Sequence, residues 1–218
     1  RKLGVEIGKK VNQARQWGHE AASIFGGRPV NPENAIPGGV SKPITAGERE
    51  RLDEIARFMV DFSMFTLKVL REQVLANPQY VDLILNGPYL HRTYSMGLVD
   101  EKNRSNRYDG KVRVVDPDGH ELCKYAPRDY TKHVAERVEP WSYLKFPYLT
   151  QVGWKGFVDG KDSGVYMATP LSRLNAADGM ATPLAQAEYE RFYATLGGKP
   201  VHQRLAIHWA RLIELLYA

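Results

Sequence analysis

His19 and Glu20 open the pattern of a zinc-protease helix, in which two histidines four residues apart hold the metal and the glutamate acts as base. Ser23 stands where the second histidine belongs, so no two-ligand face forms. Asp159-Gly160-Lys161-Asp162 puts a cation among would-be calcium ligands and lacks a closing glutamate, which makes it a turn. Gly197-Gly198-Lys199-Pro200 lacks the upstream glycine and the Ser or Thr of a phosphate loop and reads as a helix stop. Asp116 and Asp118 flank Pro117 as a hairpin turn requires, with nothing in the spacing to enclose them for acid-base work. His208 is expected on the apolar face of a helix, as a hydrogen-bonded core residue. His91, His133 and His202 stand alone. Cys123 is the one cysteine; it reads as a small buried hydrophobe on a strand, and it excludes an intrachain disulfide or a cysteine-pair metal site. No residue of the chain is assigned as catalytic, cofactor-binding or metal-binding.

What remains is a segment of shape. Phe25 to Val40 carries two Gly-Gly pairs, Gly26-Gly27 and Gly38-Gly39, with Pro29, Pro32 and Pro37 between them. The glycines permit positive φ and close backbone approach, while the prolines hold the path stiff and extended. On composition alone it is a helix-helix connection.

The elements around it follow from periodicity. Ile7, Val11, Ala14, Gly18, Ala21 and Phe25 mark one face of a helix that Gly26-Gly27 ends. Thr45-Ala46-Gly47-Glu48 has the form of a capping box, and the stripe Leu52, Ile55, Met59, Phe62, Thr66, Val69 runs on to Asn77-Pro78. Strands are predicted over 94–99, 111–115 and 120–125, with turns at Asp109-Gly110 and Asp116–Gly119. A short helix is predicted from Tyr130 to Val138, closed by Pro140. Residues 141–162 are aromatic and irregular, a packed loop whose rings cover a neighbouring surface. One more strand and a turn fall within 163–175; a helix capped by Thr182 ends at Gly197-Gly198. The last helix puts Val201, Leu205, His208, Trp209, Leu212 and Leu216 on one face.

Hydrophobic residues at 43% and charged residues at 25% are globular proportions, which argues against disorder. The surplus of basic residues gives a net charge of +5, but it is scattered, so the chain offers no nucleic-acid track. The local basic run from Lys102 to Arg113 reads as a solvated hairpin. No apolar run approaches the roughly 18 residues of a membrane span, and no signal peptide is recognisable. The chain opens inside a helical pattern and stops inside another, so it reads as a piece of a longer subunit.

Several segments carry a resemblance. Gly26-Gly27-Arg28-Pro29-Val30-Asn31-Pro32 through Pro37-Gly38-Gly39-Val40 resembles the Gly-Gly-Arg/Lys-x-x-His-Pro and Pro-Gly-Gly stretch of nickel-iron hydrogenase large subunits. Asn106-Arg107-Tyr108-Asp109-Gly110, Pro170-Leu171-Ser172-Arg173-Leu174-Asn175 and His208-Trp209-Ala210-Arg211-Leu212-Ile213-Glu214 resemble further family segments in the same order. Thr169 replaces the family's glycine before the proline, and Ser172 its alanine. The flavour is that of the cytoplasmic, cofactor-coupled types, including methyl-viologen-reducing and sulfhydrogenase forms.

The resemblance implies reversible oxidation of dihydrogen at a nickel-iron centre held by two Cys-x-x-Cys pairs, with electrons leaving through an iron-sulfur small subunit. This chain has neither pair, so the resemblance covers the central part of the large subunit, and the fragment alone is expected to hold no metal and to be inactive. The family's His-Pro histidine lies near the small subunit's proximal cluster. Asn31 stands there and can still donate a hydrogen bond, so Arg28 and Asn31 are the residues expected to face the partner or its cluster. The implied fold is α+β, a long-helix bundle with a small inserted antiparallel sheet. As one hydrogenase-like domain over 1–218, it would be helical over 1–87, sheet and aromatic loop over 88–180, and helical over 181–218. A metal-free scaffold or assembly subunit of the same fold is the alternative reading.

Overall fold

The computed structural model describes residues 4–218 and divides into two compact units after Lys68. In the first unit the predicted stripe folds as α1 (Val5–Gly26), and Gly27 ends it in the left-handed region at φ 81°. The second long helix, α2 (Ala46–Leu70), begins at the expected capping box: the Glu48 carboxylate accepts the Thr45 N–H at 2.9 Å, and Thr45 Oγ1 accepts the Glu48 N–H at 3.3 Å. The two helices run antiparallel. Glu20 meets Arg51, the rings of Trp17 and Phe58 lie 4.6 Å apart, and Lys10 sits over Phe65, so later residues of α1 meet earlier ones of α2. A minimal hairpin, β1 (Ala35–Ile36) with β2 (Gly39–Val40), lies between them and turns on Pro37-Gly38 with Gly38 at φ 86°.

In the second unit, the chain runs through a π-helical turn, Arg71–Leu75, to α3 (Pro78–Asn86), which Asn77 caps by accepting the Gln79 N–H. The helical run does end before Asn77-Pro78, as periodicity predicts, and Pro78 then opens a further helix at its first position. Two of the predicted strands appear where expected, β3 (Tyr94–Val99) and β5 (Lys111–Val115), and the third starts one residue later, as β6 (Glu121–Tyr125). Between β3 and β5 lies the two-residue β4 (Arg104–Ser105).

The expected helix over 130–138 is not there. A 3₁₀ turn, Pro127–Lys132, leads into β7 (Val134–Val138), which pairs antiparallel with β8 (Lys145–Leu149) inside the stretch expected to be an irregular loop. The β-branched ends of Val134-Ala-Glu-Arg-Val138 suit a strand once a partner is available, and a tertiary partner outweighs weak helix propensity. Beyond it come β9 (Tyr166–Met167), α4 (Pro170–Ala176), β10 (Gly179–Met180), α5 (Pro183–Thr195) and α6 (Ile207–Tyr217).

The sheet runs β10-β4-β3-β5-β6 with β9 beside β3, and it is mixed rather than antiparallel: β10 joins β4, and β9 joins β3, in parallel. Both parallel partners arrive by long returns rather than hairpins, as parallel pairing requires. Strand alternation sorts its two faces. Tyr94, Val114 and Tyr125 pack with Leu149, Met96 and Cys123 on one side. On the other, Gly97 lies directly across from Arg113, and the missing side chain admits α4: a Cβ on Gly97 would stand 3.1 Å from Arg173 Cα.

Candidate functional site

The Gly-Pro segment of the first unit is braced from within. Asn34 is buried; its Nδ2 donates to the Phe25 carbonyl at 3.2 Å, its Oδ1 accepts from the Ser41 hydroxyl, and its carbonyl accepts the Ser41 N–H at 2.8 Å. Gly26 is obligatory for packing, since a Cβ there would lie 2.6 Å from Pro32 Cβ. On this frame Arg28 and Asn31 are both exposed and sit together: Arg28 Nε donates to the Asn31 carbonyl at 2.8 Å and its Nη2 pairs with Glu33 at 3.0 Å. Asn31 takes the left-handed conformation, φ 52°, which asparagine tolerates better than branched residues do. Val30, Ile36 and Val40 stand exposed around the pair.

In the second unit three separate sequence motifs meet. Glu214 of α6 is only 5% exposed, and Arg173 of α4 clamps it through two parallel bonds of 2.6 Å from Nε and Nη2. Arg107, from the Asn-Arg-Tyr-Asp-Gly turn, reaches the same carboxylate with Nη2 at 2.8 Å, its guanidinium over the Tyr217 ring. That turn is itself fixed by Asn106, whose Oδ1 accepts the Tyr108 N–H and whose Nδ2 donates to Asp109, and by Gly110, where a Cβ would strike the Asn106 carbonyl at 2.3 Å. Asn175, the end of the second motif, is buried and satisfied: it donates to the Val201 carbonyl at 2.8 Å and accepts from the Tyr193 hydroxyl at 2.9 Å and the Val201 N–H at 3.1 Å. Thr169 and Ser172, the two departures from the family pattern, form one pair, their hydroxyls 2.8 Å apart, and Thr169 caps α4 by accepting the Ser172 N–H.

The basic run is not the solvated hairpin expected. Arg107 is committed to Glu214, and Arg113 is buried under α4, donating to the Ala176 carbonyl at 2.9 Å and pairing with Glu121 and Asp178. Sequence reading missed both. The available signal was Gly97, a strand glycine that marks close approach of another element.

The remaining sequence candidates have plain partners. Asp116, Asp118 and His120 are the one group of described residues with metal-ligand spacing, but Lys161 Nζ lies 2.6 and 2.7 Å from the two carboxylates and supplies the positive charge there. Burial raises the Asp116 carboxyl, yet Lys161 and backbone N–H groups outweigh it and hold it below the usual range. His208 is exposed at the rim of an apolar cavity of about 300 Å³ between Tyr80, Leu83, Leu196 and Trp209, not bonded in the core as expected. Trp209 and Leu216, expected on that face, are buried, with Trp209 Nε1 donating to Glu188 at 3.0 Å, while Ala210 and Ile213 take the buried places expected of His208 and Leu212. Thr182 stands at the start of α5 without capping it; its hydroxyl is buried with no partner. Cys123 is half-buried on β6, and burial pushes its thiol up, which suits packing and not metal ligation.

No known family profile matches the chain. An iron-sulfur subunit of the F420-non-reducing hydrogenase of Archaeoglobus profundus is 39% identical over 218 residues, 100% of this chain and 45% of that protein. The NAD-reducing hydrogenase HoxS subunit beta of Cupriavidus necator is 31% identical over 98% of this chain and 43% of that protein. The chain spans less than half the length of the curated relatives it matches. Among solved structures, an NAD+-reducing NiFe hydrogenase in the H2-reduced state superposes with a TM-score of 0.81 at 30% identity, over 97% of this chain and 45% of that one. A NiFeSe hydrogenase from Dm. baculatum, at 17% identity and a TM-score of 0.61, shares the fold. From end to end, then, the chain is similar in sequence to hydrogenase subunits and in fold to one part of a nickel-iron hydrogenase.

Proposed function

We propose that this chain is the central portion of a nickel-iron hydrogenase large subunit, and that the complete protein reversibly oxidises dihydrogen and passes the electrons to an iron-sulfur small subunit. The observation that carries the reading is the end-to-end match to hydrogenase subunits, at 39% and 31% identity, joined to a TM-score of 0.81 with an NAD+-reducing hydrogenase. The relatives named above are all hydrogenase subunits, and no observation favours a metal-free scaffold.

The residues present do not fit a nickel-iron centre by themselves. Such a centre calls for several soft thiolates, whereas the chain offers Cys123 alone, on a strand with its thiol pushed up by burial. The thiolates would come from sequence outside these residues, and the chemistry with them. What this chain contributes is a frame and a docking loop. Arg28 and Asn31, exposed on a segment braced by Asn34, suit contact with the iron-sulfur partner: one offers a cation and the other a neutral donor. We place the protein in the cytoplasm, a reading supported by its free cysteine; no helix among the described residues is long and apolar enough to cross a membrane.

The test is nickel and iron content of the full-length protein purified anaerobically with its partner, together with dye reduction under dihydrogen. Stoichiometric metal and turnover are expected. A folded, full-length protein free of nickel and inert to dihydrogen overturns the reading. In the same preparation Arg28→Glu should weaken association with the iron-sulfur partner about tenfold, as reversal of a contact charge does; unchanged association removes Arg28 from that interface.

A further inference from the structure

His91 is held in one tautomer by two charged neighbours. Arg204 Nη1 lies 2.8 Å from its Nδ1, and a guanidinium can only donate, so Nδ1 accepts and the single proton of the neutral ring sits on Nε2. Nε2 in turn lies 3.3 Å from Asp159 Oδ1. The same Arg204 Nη1 also reaches Met167 Sδ at 3.6 Å. These side chains close a crossing of two segments within the second unit. The His91 N–H donates to the His202 carbonyl at 3.2 Å and the Arg204 N–H to the Tyr89 carbonyl at 2.8 Å, with Leu90 bridged to Gln203 between them. Arg204 opens the 3₁₀ turn Arg204–Ala206, from which α6 continues.

We propose that His91 is an acid-sensitive latch on this crossing. A second proton on the ring lands on Nδ1, where it sets a donor against a donor and a cation against the Arg204 guanidinium. The imidazolium keeps Asp159, so the contact that is lost is the one to Arg204, whose exposed side chain turns to solvent. Proton binding and closure by Arg204 therefore oppose each other: the latch is shut while His91 is neutral and opens as pH falls. Arg204 and Asp159 are the charged groups against the ring; beyond them Arg92 is paired with Asp118, and Lys161 with Asp116 and Asp118. The other histidine of the crossing, His202, donates from Nε2 to the Pro117 carbonyl at 2.7 Å, and burial pushes its imidazole down, which favours the neutral form that makes this bond. The latch rests on contacts inside the second unit and is independent of the proposed function.

Site-resolved amide exchange on the full-length protein, corrected for the intrinsic pH dependence of exchange, reads the latch at the His91 and Arg204 N–H groups. Both should be about tenfold less protected at about pH 5 than at about pH 8, the size of one lost hydrogen bond. His91→Gln, whose amide oxygen accepts from Arg204 at any pH and which takes no charge, should hold protection flat across that range. Arg204→Met keeps much of the side chain's length and removes the donor, so its loss of protection should already be complete at about pH 8. Protection in the parent that does not change with pH, or a change that survives in His91→Gln or in Arg204→Met, overturns the proposal.

Discussion

Among single residues, Asp178 joins more of the molecule than any motif residue does. Its Oδ1 lies 2.9 Å from Lys199 Nζ and 3.0 Å from Arg113 Nη1, and its Oδ2 accepts from Asn103 Nδ2 at 3.0 Å. Burial raises the carboxyl, but Lys199 and Arg113 outweigh it and bring it down to about 2 from an ordinary 3.8. A depressed folded-state value means that the unfolded chain binds the proton first as pH falls. The contribution is therefore complete above about pH 5 and is lost between about pH 4 and 2. With the carboxylate about half exposed, solvent screening reduces it to about 1 kcal/mol. Urea unfolding of Asp178→Asn against the parent should show the difference at about pH 6, a reduced one near about pH 3 and its disappearance only below about pH 2; a gap that stays constant across that range would show that the carboxylate's charge is not what stabilises.

Between elements, the approach of α4 to the sheet decides whether the motifs meet at all. Gly97 leaves the space, and a Cβ there would stand 3.1 Å from Arg173 Cα and 3.2 Å from Ala176 Cβ, so the helix carrying the Glu214 clamp would have to retreat by a few tenths of an ångström. Gly97→Ala should cost about 2 kcal/mol by overpacking. Denaturant midpoints would measure it, and a loss below about 0.5 kcal/mol would mean that α4 is free to yield. The same junction explains what was legible in sequence and what was not. α1, the capping box of α2, and strands β3 and β5 rest on local patterns, and local patterns were enough. β7 and β8 depend on each other across a loop, so Val134–Val138 looked helical until its partner was in view. The Arg-Glu cluster was visible only as three unrelated motifs, because ion pairs such as Arg173 with Glu214, 41 positions apart, leave no spacing to read. Arg28 and Asn31, by contrast, are singled out by motif resemblance alone, and they share one loop because they are neighbours in the chain.

Across the whole chain, the two units differ in how much they bury. In α1, the hairpin and α2 up to Lys68, the buried residues are Ala14, Gly26, Asn34, Ile55, Ser63 and Leu67, while Val5, Phe25, Val30, Ile36, Val40 and Val60 are exposed. The contacts holding that unit are largely edge contacts: Trp17 against Phe58 at 4.6 Å, and Arg51 both stacked on Trp17 at 4.4 Å and paired with Glu20. The second unit buries far more: Val114 and Leu149 lie in one core cluster with Tyr94 and Tyr125, and Val99, Phe192 and Ile213 are fully or almost fully buried outside it. Opening free energy follows buried apolar contact, so amides of α1 should exchange with deuterium at least about 100-fold faster than those of β5 in the chain alone, a gap of roughly 3 kcal/mol. The exposed apolar residues beside Arg28 and Asn31 carry the expectation one step on: on the proposed function, binding of the proposed iron-sulfur partner should slow exchange across residues 26–41 and in α1 more than anywhere in β3 or β5. Protection of α1 equal to that of β5 before any partner is added would show that the helical hairpin is stable by itself, and protection on assembly that falls only on the sheet would move the docking surface away from the braced loop.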